Sequence, residues 1–390
     1  MISRSARYRL ATLTSWALAA LVVAIAVIGF VVVTRPSTLQ AVGIRLAPPT
    51  PTVAVVLLPT PTPEPPGVDA SGWVERAVEI ETTRESERLA RRNSIQAVVD
   101  FAAADIESWS TGAIASIAVV VFDDADLPFS DRVIGVEPNL VAPSASLAKA
   151  YWVTAAAIET LDESGTPDER RFANVEERAG SIFRWSSNEA STALIATVGV
   201  DKINDYTAGL GMTETFLTQW ASGQRAAEPN PSGSGNTTST SDAVRFLDTM
   251  YRVRSTNPED PVASPVLEWM LEAPDDMATG SYGGVFTDRL PDQVSPFIAH
   301  KAGWLPPACC ESEGNTLNAM GLVDLATLTD GDLVPPDATS YALAVSVTNG
   351  RSYDEHAAFI AWTSCLVYQT LVDPGHGCGE PQDVDQDEPA

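Results

Sequence analysis

Ala145-Ser146-Leu147-Ala148-Lys149-Ala150-Tyr151-Trp152-Val153-Thr154-Ala155-Ala156-Ala157 is the stretch around which the chain organises itself. It reads as a helix running to about Leu161, with Ser144 as its cap. The first turn places a serine three residues before a lysine, and on a helix such residues share a face. A lysine amine that is partly desolvated gives up its proton more readily, and the neutral amine then takes one from the serine hydroxyl. A serine at a helix N-terminus also turns its backbone N–H toward developing negative charge. Alone, the pair is a weak signal, because serines and lysines at this spacing are common on solvated helix faces.

Two further elements change its weight. Forty residues on, Ser186-Ser187-Asn188 follows Arg184-Trp185 and precedes a predicted helix. Later, Lys301-Ala302-Gly303-Trp304 lies within a predicted strand. Serine–lysine on a helix, serine–asparagine on a loop and lysine–glycine on a strand, in that order, resemble the serine β-lactamase and penicillin-binding superfamily, most closely its class A type. The resemblance covers about Trp73 to Val372. Asn188-Glu189-Ala190-Ser191-Thr192-Ala193-Leu194-Ile195 looks like the helix after that family's second motif. Asn236-Thr237-Thr238 looks like the element closing its omega loop, and His300–Trp304 like the strand bordering its active site.

The resemblance implies an α+β fold with two lobes, an antiparallel sheet flanked by helices and an all-helical lobe. It implies that Ser146 is the acylated nucleophile, Lys149 its activator and Ser186 a proton relay to the leaving group. Asn188 would hold the substrate's amide side chain and Lys301 its carboxylate, while Gly303 leaves room along the strand. The backbone N–H groups of Ser146 and Trp304 would form the oxyanion site. The implied substrate is a β-lactam, a cell-wall-like peptide or an ester, and no cofactor or metal is implied.

This chain departs from the pattern in four places. Ser187 stands where aspartate is usual, and Ala302 where threonine or serine is usual. The interval from Ser146 to Ser186 is short. Alignment of Leu210-Gly211-Met212 with the helix end before the omega loop puts Trp220 at a familiar tryptophan and Ala221 where the deacylating glutamate belongs. Glu214 and Glu228 lie nearby but outside an ExxLN context. Without a positioned base an acyl-enzyme hydrolyses slowly, so acylation with weak deacylation is expected. The competing reading is a catalytically impaired extracellular binding or scaffold domain that keeps the fold. Retention of Ser146, Lys149, Ser186, Asn188, Lys301 and Gly303 argues against full decay.

The rest of the chain frames this domain. Helical patterns are read over Trp73–Trp109, Asn188–Thr197, Val200–Leu210, Asp242–Val253 and His356–Val372. Strands are read over Gly112–Phe122, Arg132–Val136, Phe297–Trp304, Asn318–Thr327 and Ser340–Thr348, and Arg225–Gly235 reads as loop. This order suggests a sheet drawn from both ends of the domain, with a helical insertion between.

Arg4, Arg7 and Arg9 precede an uncharged, proline-free run from Trp16 to Val33. As a helix it spans about 27 Å, close to the hydrocarbon thickness. The division expected is a cytoplasmic N-terminus (1–15), a transmembrane helix (16–33), a Pro/Thr-rich linker (34–72), the domain (73–379) and an acidic disordered tail (380–390). A single-pass bacterial membrane protein with an extracytoplasmic domain follows from the basic flank, the rival being a cleaved signal peptide.

Formal net charge is −27, with 51 acidic against 24 basic residues, which repels nucleic-acid phosphates. Cys309, Cys310, Cys365 and Cys378 are disulfide candidates with three connectivities. Adjacent Cys309 and Cys310 are expected to reach Cys365 and Cys378 rather than each other. A zinc site with His356 or His376 fits no familiar spacing. With three histidines in the chain and no Ser/His/Asp triad, His300 reads as a packed strand residue. Asp123, Asp124 and Asp126 read as a solvated turn rather than a metal cluster.

Overall fold

The uncharged β-branched run after Gly112 forms β1 (Ile114–Val121), buried from its second residue onward. The structure, a computed structural model, describes residues 70–124, 127–218, 235–273, 284–307, 314–327 and 338–379, with side chains from residue 79. The expected transmembrane helix, tail, Asp126, Cys309, Cys310, Gln219–Ser222, Glu228 and nearly all of the linker and of the Arg225–Gly235 loop lie outside these residues; residues 70–72, expected in the linker, instead open the first helix. Among the described residues no helix is long and apolar enough to cross a membrane.

β1 pairs on one side with β2 (Ile134–Val136) and on the other with β7 (Tyr341–Gly350). β7 pairs with β6 (Asn315–Val323), and β6 with β5 (Ile298–Leu305). The sheet order is thus β2-β1-β7-β6-β5, antiparallel throughout, so the two ends of the domain meet in its centre. A separate short ribbon joins β3 (Ala142–Pro143) to β4 (Thr237–Thr238).

Strand alternation divides the core into two layers. Ala118, Val120, Met320, Leu322, Ala342 and Ala344 face the helical lobe. Ile117, Val119, Leu317, Ala319, Leu343 and Val345 face the terminal helices. The first of these is α1 (Ala70–Trp109), whose buried residues Ile95, Val99, Ala102, Ile106 and Trp109 recur at helical steps of three and four. Upstream, residues 79–87 are exposed on every side. The second is α8 (Tyr353–Leu371), capped by the Ser352 hydroxyl; Trp362 meets Trp109 at 5.3 Å between ring centres.

The helical lobe comprises α2 (Lys149–Ile158), α3 (Glu169–Trp185), α4 (Asn188–Val198), α5 (Val200–Gly209), α6 (Thr240–Thr256) and α7 (Ala263–Met270). The sequence reading does not anticipate α3 or α7. The signal for α3 is nonetheless present. The Asp168 carboxylate accepts from the Arg171 N–H at its start, and Phe172, Val175, Ala179 and Ile182 repeat at helical spacing.

Two expectations are corrected. Ser144 does not cap the helix with its side chain: its buried hydroxyl has no hydrogen-bond partner. The next residue, Ala145, is left-handed at φ 49°, so the turn starts instead from the Ser144 carbonyl, which accepts from the Leu147 N–H at 3.1 Å. The disulfide is also local. Cys365 bonds Cys378, with Cα atoms 5.6 Å apart, so neither is a partner for Cys309 or Cys310. The chain turns after Leu371 and runs back beside α8, where Arg289 Nη1 donates to the Cys378 carbonyl at 2.9 Å.

Candidate active site

Ser146 lies in a one-turn 3-10 helix, Ala145–Ala148, that leads directly into α2. Residues three apart eclipse in such a turn, and the Lys149 N–H donates back to the Ser146 carbonyl. The turn is confined from several sides. The Ser144 N–H donates to the Asn236 carbonyl at 2.9 Å, and Asn318 Nδ2 donates to the Pro143 carbonyl at 2.7 Å. On the third side lies Gly303 of β5. A Cβ built there would fall 2.4 Å from the Ser146 nitrogen and 2.5 Å from that of Leu147. Backbone against backbone cannot yield to a methyl group, so glycine is required at this contact.

Helix α3 delivers the second element. It ends on Ser186, a non-glycine residue in the left-handed region at φ 52°. That reversal lets α4 begin at Asn188, and the Ser187 hydroxyl caps it by accepting from the Ala190 N–H at 3.2 Å. Serine and aspartate are equivalent in this role, so the departure at Ser187 leaves the local geometry intact.

Lys149 Nζ donates to the Ser186 carbonyl at 2.5 Å, the Ser186 hydroxyl at 3.1 Å and Asn188 Oδ1 at 2.7 Å. Lys301 Nζ reaches the same hydroxyl at 3.3 Å and the Ala302 carbonyl at 2.5 Å. The structure therefore gathers Lys149, Ser186, Asn188 and Lys301 into one cluster, with Ser146 at the foot of the helix carrying Lys149.

Alternation along β5 sorts its residues. Lys301 and Gly303 face the helical lobe, whereas Ala302 lies in the layer packed on the terminal helices. His300 is stacked near Phe286 in that layer. The Trp304 ring lies there too: its Nε1 donates to Asn315 Oδ1 at 3.1 Å, and Tyr353 meets it edge-on at 5.4 Å. Trp304 thus packs by its ring and has only its backbone to offer the site. His300 is the packed strand residue expected, its pKa pushed down to about 3 by burial and then by the charge of Lys301.

Both lysines are buried, and every hydrogen-bond partner of Lys149 is a neutral oxygen. Desolvation disfavours the ammonium form, lowering the Lys149 pKa to about 7. Lys301 is pushed well below its ordinary value, first by burial and second by the nearby Lys149. Both shifts favour the neutral amine over the ammonium ion.

Behind the turn, the chain on either side of residues 219–234 is drawn together. Asn204 accepts from the Leu217 N–H at 2.8 Å and donates to its carbonyl at 3.0 Å. The Thr218 N–H donates to Asn236 Oδ1 at 2.9 Å. Asp242 accepts from the Glu214 N–H and the Thr215 hydroxyl, both at 2.8 Å. Glu214 thus enters this frame through its backbone. Asn318, overlooked by motif matching, had a signal of its own: a lone amide within the otherwise apolar run Leu317–Val323.

Solved structures share this arrangement of elements. A class A β-lactamase representative from Bacteroides cellulosilyticus DSM 14838 aligns with a TM-score of 0.50 at 19% identity, covering 72% of this chain and 98% of that one. TLA-3 extended-spectrum β-lactamase gives 0.50 at 17%, covering 70% and 99%. At these identities the likeness is one of fold. No curated protein matches the chain. A family model described as "Beta-lactamase enzyme family" matches residues 174–371, just over half of the chain. The match takes in Ser186, Asn188, Lys301 and Gly303, and begins after Ser146 and Lys149. The fold and this match agree: the chain belongs to the beta-lactamase enzyme family.

Proposed function

We propose that the domain is a serine hydrolase that forms an acyl-enzyme at Ser146 with a β-lactam, a cell-wall-like peptide or an ester. One observation carries this reading: a buried lysine beside the serine turn, surrounded by neutral oxygens and facing no carboxylate. In the proposed step the neutral Lys149 amine accepts the Ser146 hydroxyl proton as the oxygen attacks the acyl carbon. The carbonyl electron pair moves onto oxygen, facing the N–H groups of Ser146 and Trp304. When the intermediate collapses, the leaving group departs with a proton passed through Ser186, and Lys149 replaces it. Asn188 orients the acyl side chain, and Lys301 attracts a carboxylate. Water must then release the acyl group. With alanine at 221 we propose that this step is slow, so that acyl-enzyme accumulates. Residues 16–33 are proposed to anchor the domain outside a bacterial membrane.

A fluorescent penicillin provides the test. Wild-type protein should be labelled covalently and lose the label slowly, and Ser146→Ala should show no labelling. Absence of labelling in wild type, together with no turnover of activated esters, would favour the scaffold reading instead.

A further inference from the structure

The face of the sheet turned toward the helical lobe carries a polar row at its centre. Gly303 of β5 stands opposite Asn318 of β6, Asn318 opposite Ser346 of β7, and Ser346 opposite Ser116 of β1. Asn318, Ser346 and Ser116 are buried. Buried polar groups persist when hydrogen-bonded, and each of these has a partner. The Ser346 hydroxyl donates to Asn318 Oδ1 at 2.6 Å, and Asn318 Nδ2 donates to the Pro143 carbonyl at 2.7 Å. Ser116 donates to the Glu137 carbonyl at 2.9 Å and bonds the Thr240 hydroxyl at 2.8 Å.

The Pro143 carbonyl, which can only accept, fixes which way the Asn318 amide faces. With its nitrogen donating to Pro143, its oxygen turns to Ser346, whose hydroxyl donates to it and holds it there. Pro143 lies three residues before Ser146, on the near side of the left-handed Ala145. A non-glycine residue in that region carries about 1 kcal/mol or more of strain and persists only where its surroundings hold it. Neighbouring β5 sets the far side of Ala145 through the Gly303 contact. The adjacent strands β5 and β6 thus grip the turn on both sides of its strained residue.

We propose that Asn318 is a positioning residue, supported by Ser346, which holds the Pro143 carbonyl so that Ser146 meets β5 in reactive register. This deepens the acyl-enzyme reading and rests on it. Removing the amide frees the turn without touching Ser146, Lys149, Ser186 or Lys301. A small displacement of a reacting group costs about a hundredfold in rate.

The test compares wild type, Asn318→Ala, Ser346→Ala and the double variant by stopped-flow acylation with a fluorescent penicillin, normalised to titrated sites. Asn318→Ala should lower the saturating acylation rate about 10- to 100-fold and leave the half-saturating concentration within about twofold. Ser346→Ala should lower the rate less and add nothing in the double variant. A role in stability alone would lower the melting temperature and leave the rate per titrated site unchanged. An Asn318→Ala rate within twofold of wild type would overturn the proposal. If that variant does not fold, a Ser346→Ala rate within twofold of wild type overturns it. If wild type itself is never acylated, the acyl-enzyme reading fails separately. Amide exchange then decides: Ser146 and Leu147 N–H groups should exchange about tenfold faster in Asn318→Ala, and unchanged exchange counts against the proposal.

Discussion

Two buried cationic sites in this domain follow opposite rules. Beneath α6, Arg132 grips Asp248 through two bonds of 2.7 and 2.6 Å, and Arg252 adds a third at 2.9 Å. Arg132 and Asp248 are buried, and their charges offset one another. Beside the serine turn, Lys149 and Lys301 are equally buried, yet share a serine hydroxyl rather than a carboxylate. A buried cation costs several kcal/mol unless paired or neutralised. The arginine is paired, and guanidinium does not give up its proton. The lysine is unpaired, and its proton becomes labile. The difference teaches that burial alone does not mark reactivity: the absence of a counter-charge does.

That contrast is open to attack at three points. Lys149→Met should reduce acylation by about a thousandfold or more while stability stays within about 1 kcal/mol, since a desolvated amine is replaced by an apolar chain. In the wild type, acylation should rise with pH through about 7 and then level off, as the amine loses its proton. The same shift makes the folded state hold fewer protons than the unfolded chain between about pH 7 and the ordinary lysine value of 10.5. Stability should therefore increase with pH across that window, and Lys149→Met should reduce the slope, leaving the part that the buried Lys301 contributes. Stopped-flow labelling and urea titration read both.

Asp248→Asn should do the reverse. It strands Arg132 as a buried charge, costing about 3–5 kcal/mol, while the acylation rate of the folded fraction remains that of wild type. Loss of rate per titrated site would break the division between the two regions. The smallest effect belongs to Arg184 and Glu272, an exposed pair at 3.0 Å. Arg184→Ala should change the unfolding free energy by less than about 1 kcal/mol, even though Arg184 lies two residues from Ser186.

Much of this site is legible in sequence because its chemistry uses short spacings on regular elements. Ser146 and Lys149 share a turn, Lys301 and Gly303 share one face of a strand, and Ser186 to Asn188 form a helix junction. Strand alternation likewise separates the core layers through β1 and β7. What escaped depends on tertiary partners. The Ser144 hydroxyl looks like a cap until the positive φ of Ala145 removes the geometry. Cys365 and Cys378 pair because the chain doubles back after α8, a turn that composition alone does not specify. Asn318 acquires its role only when β5, β6 and β7 align. Helix α3 is a different case: Phe172, Val175, Ala179 and Ile182 carry its apolar spacing in the sequence itself.

Asn236 has a consequence for how this domain could change over time. Its side chain holds Thr218 at one end of residues 219–234, and its carbonyl holds Ser144 beside the serine turn. One asparagine thus ties together two parts of the frame that lie far apart in sequence, Thr218 and Ser144. A substitution at 236 therefore disturbs both contacts at once, so this position is more constrained than either contact alone would make it.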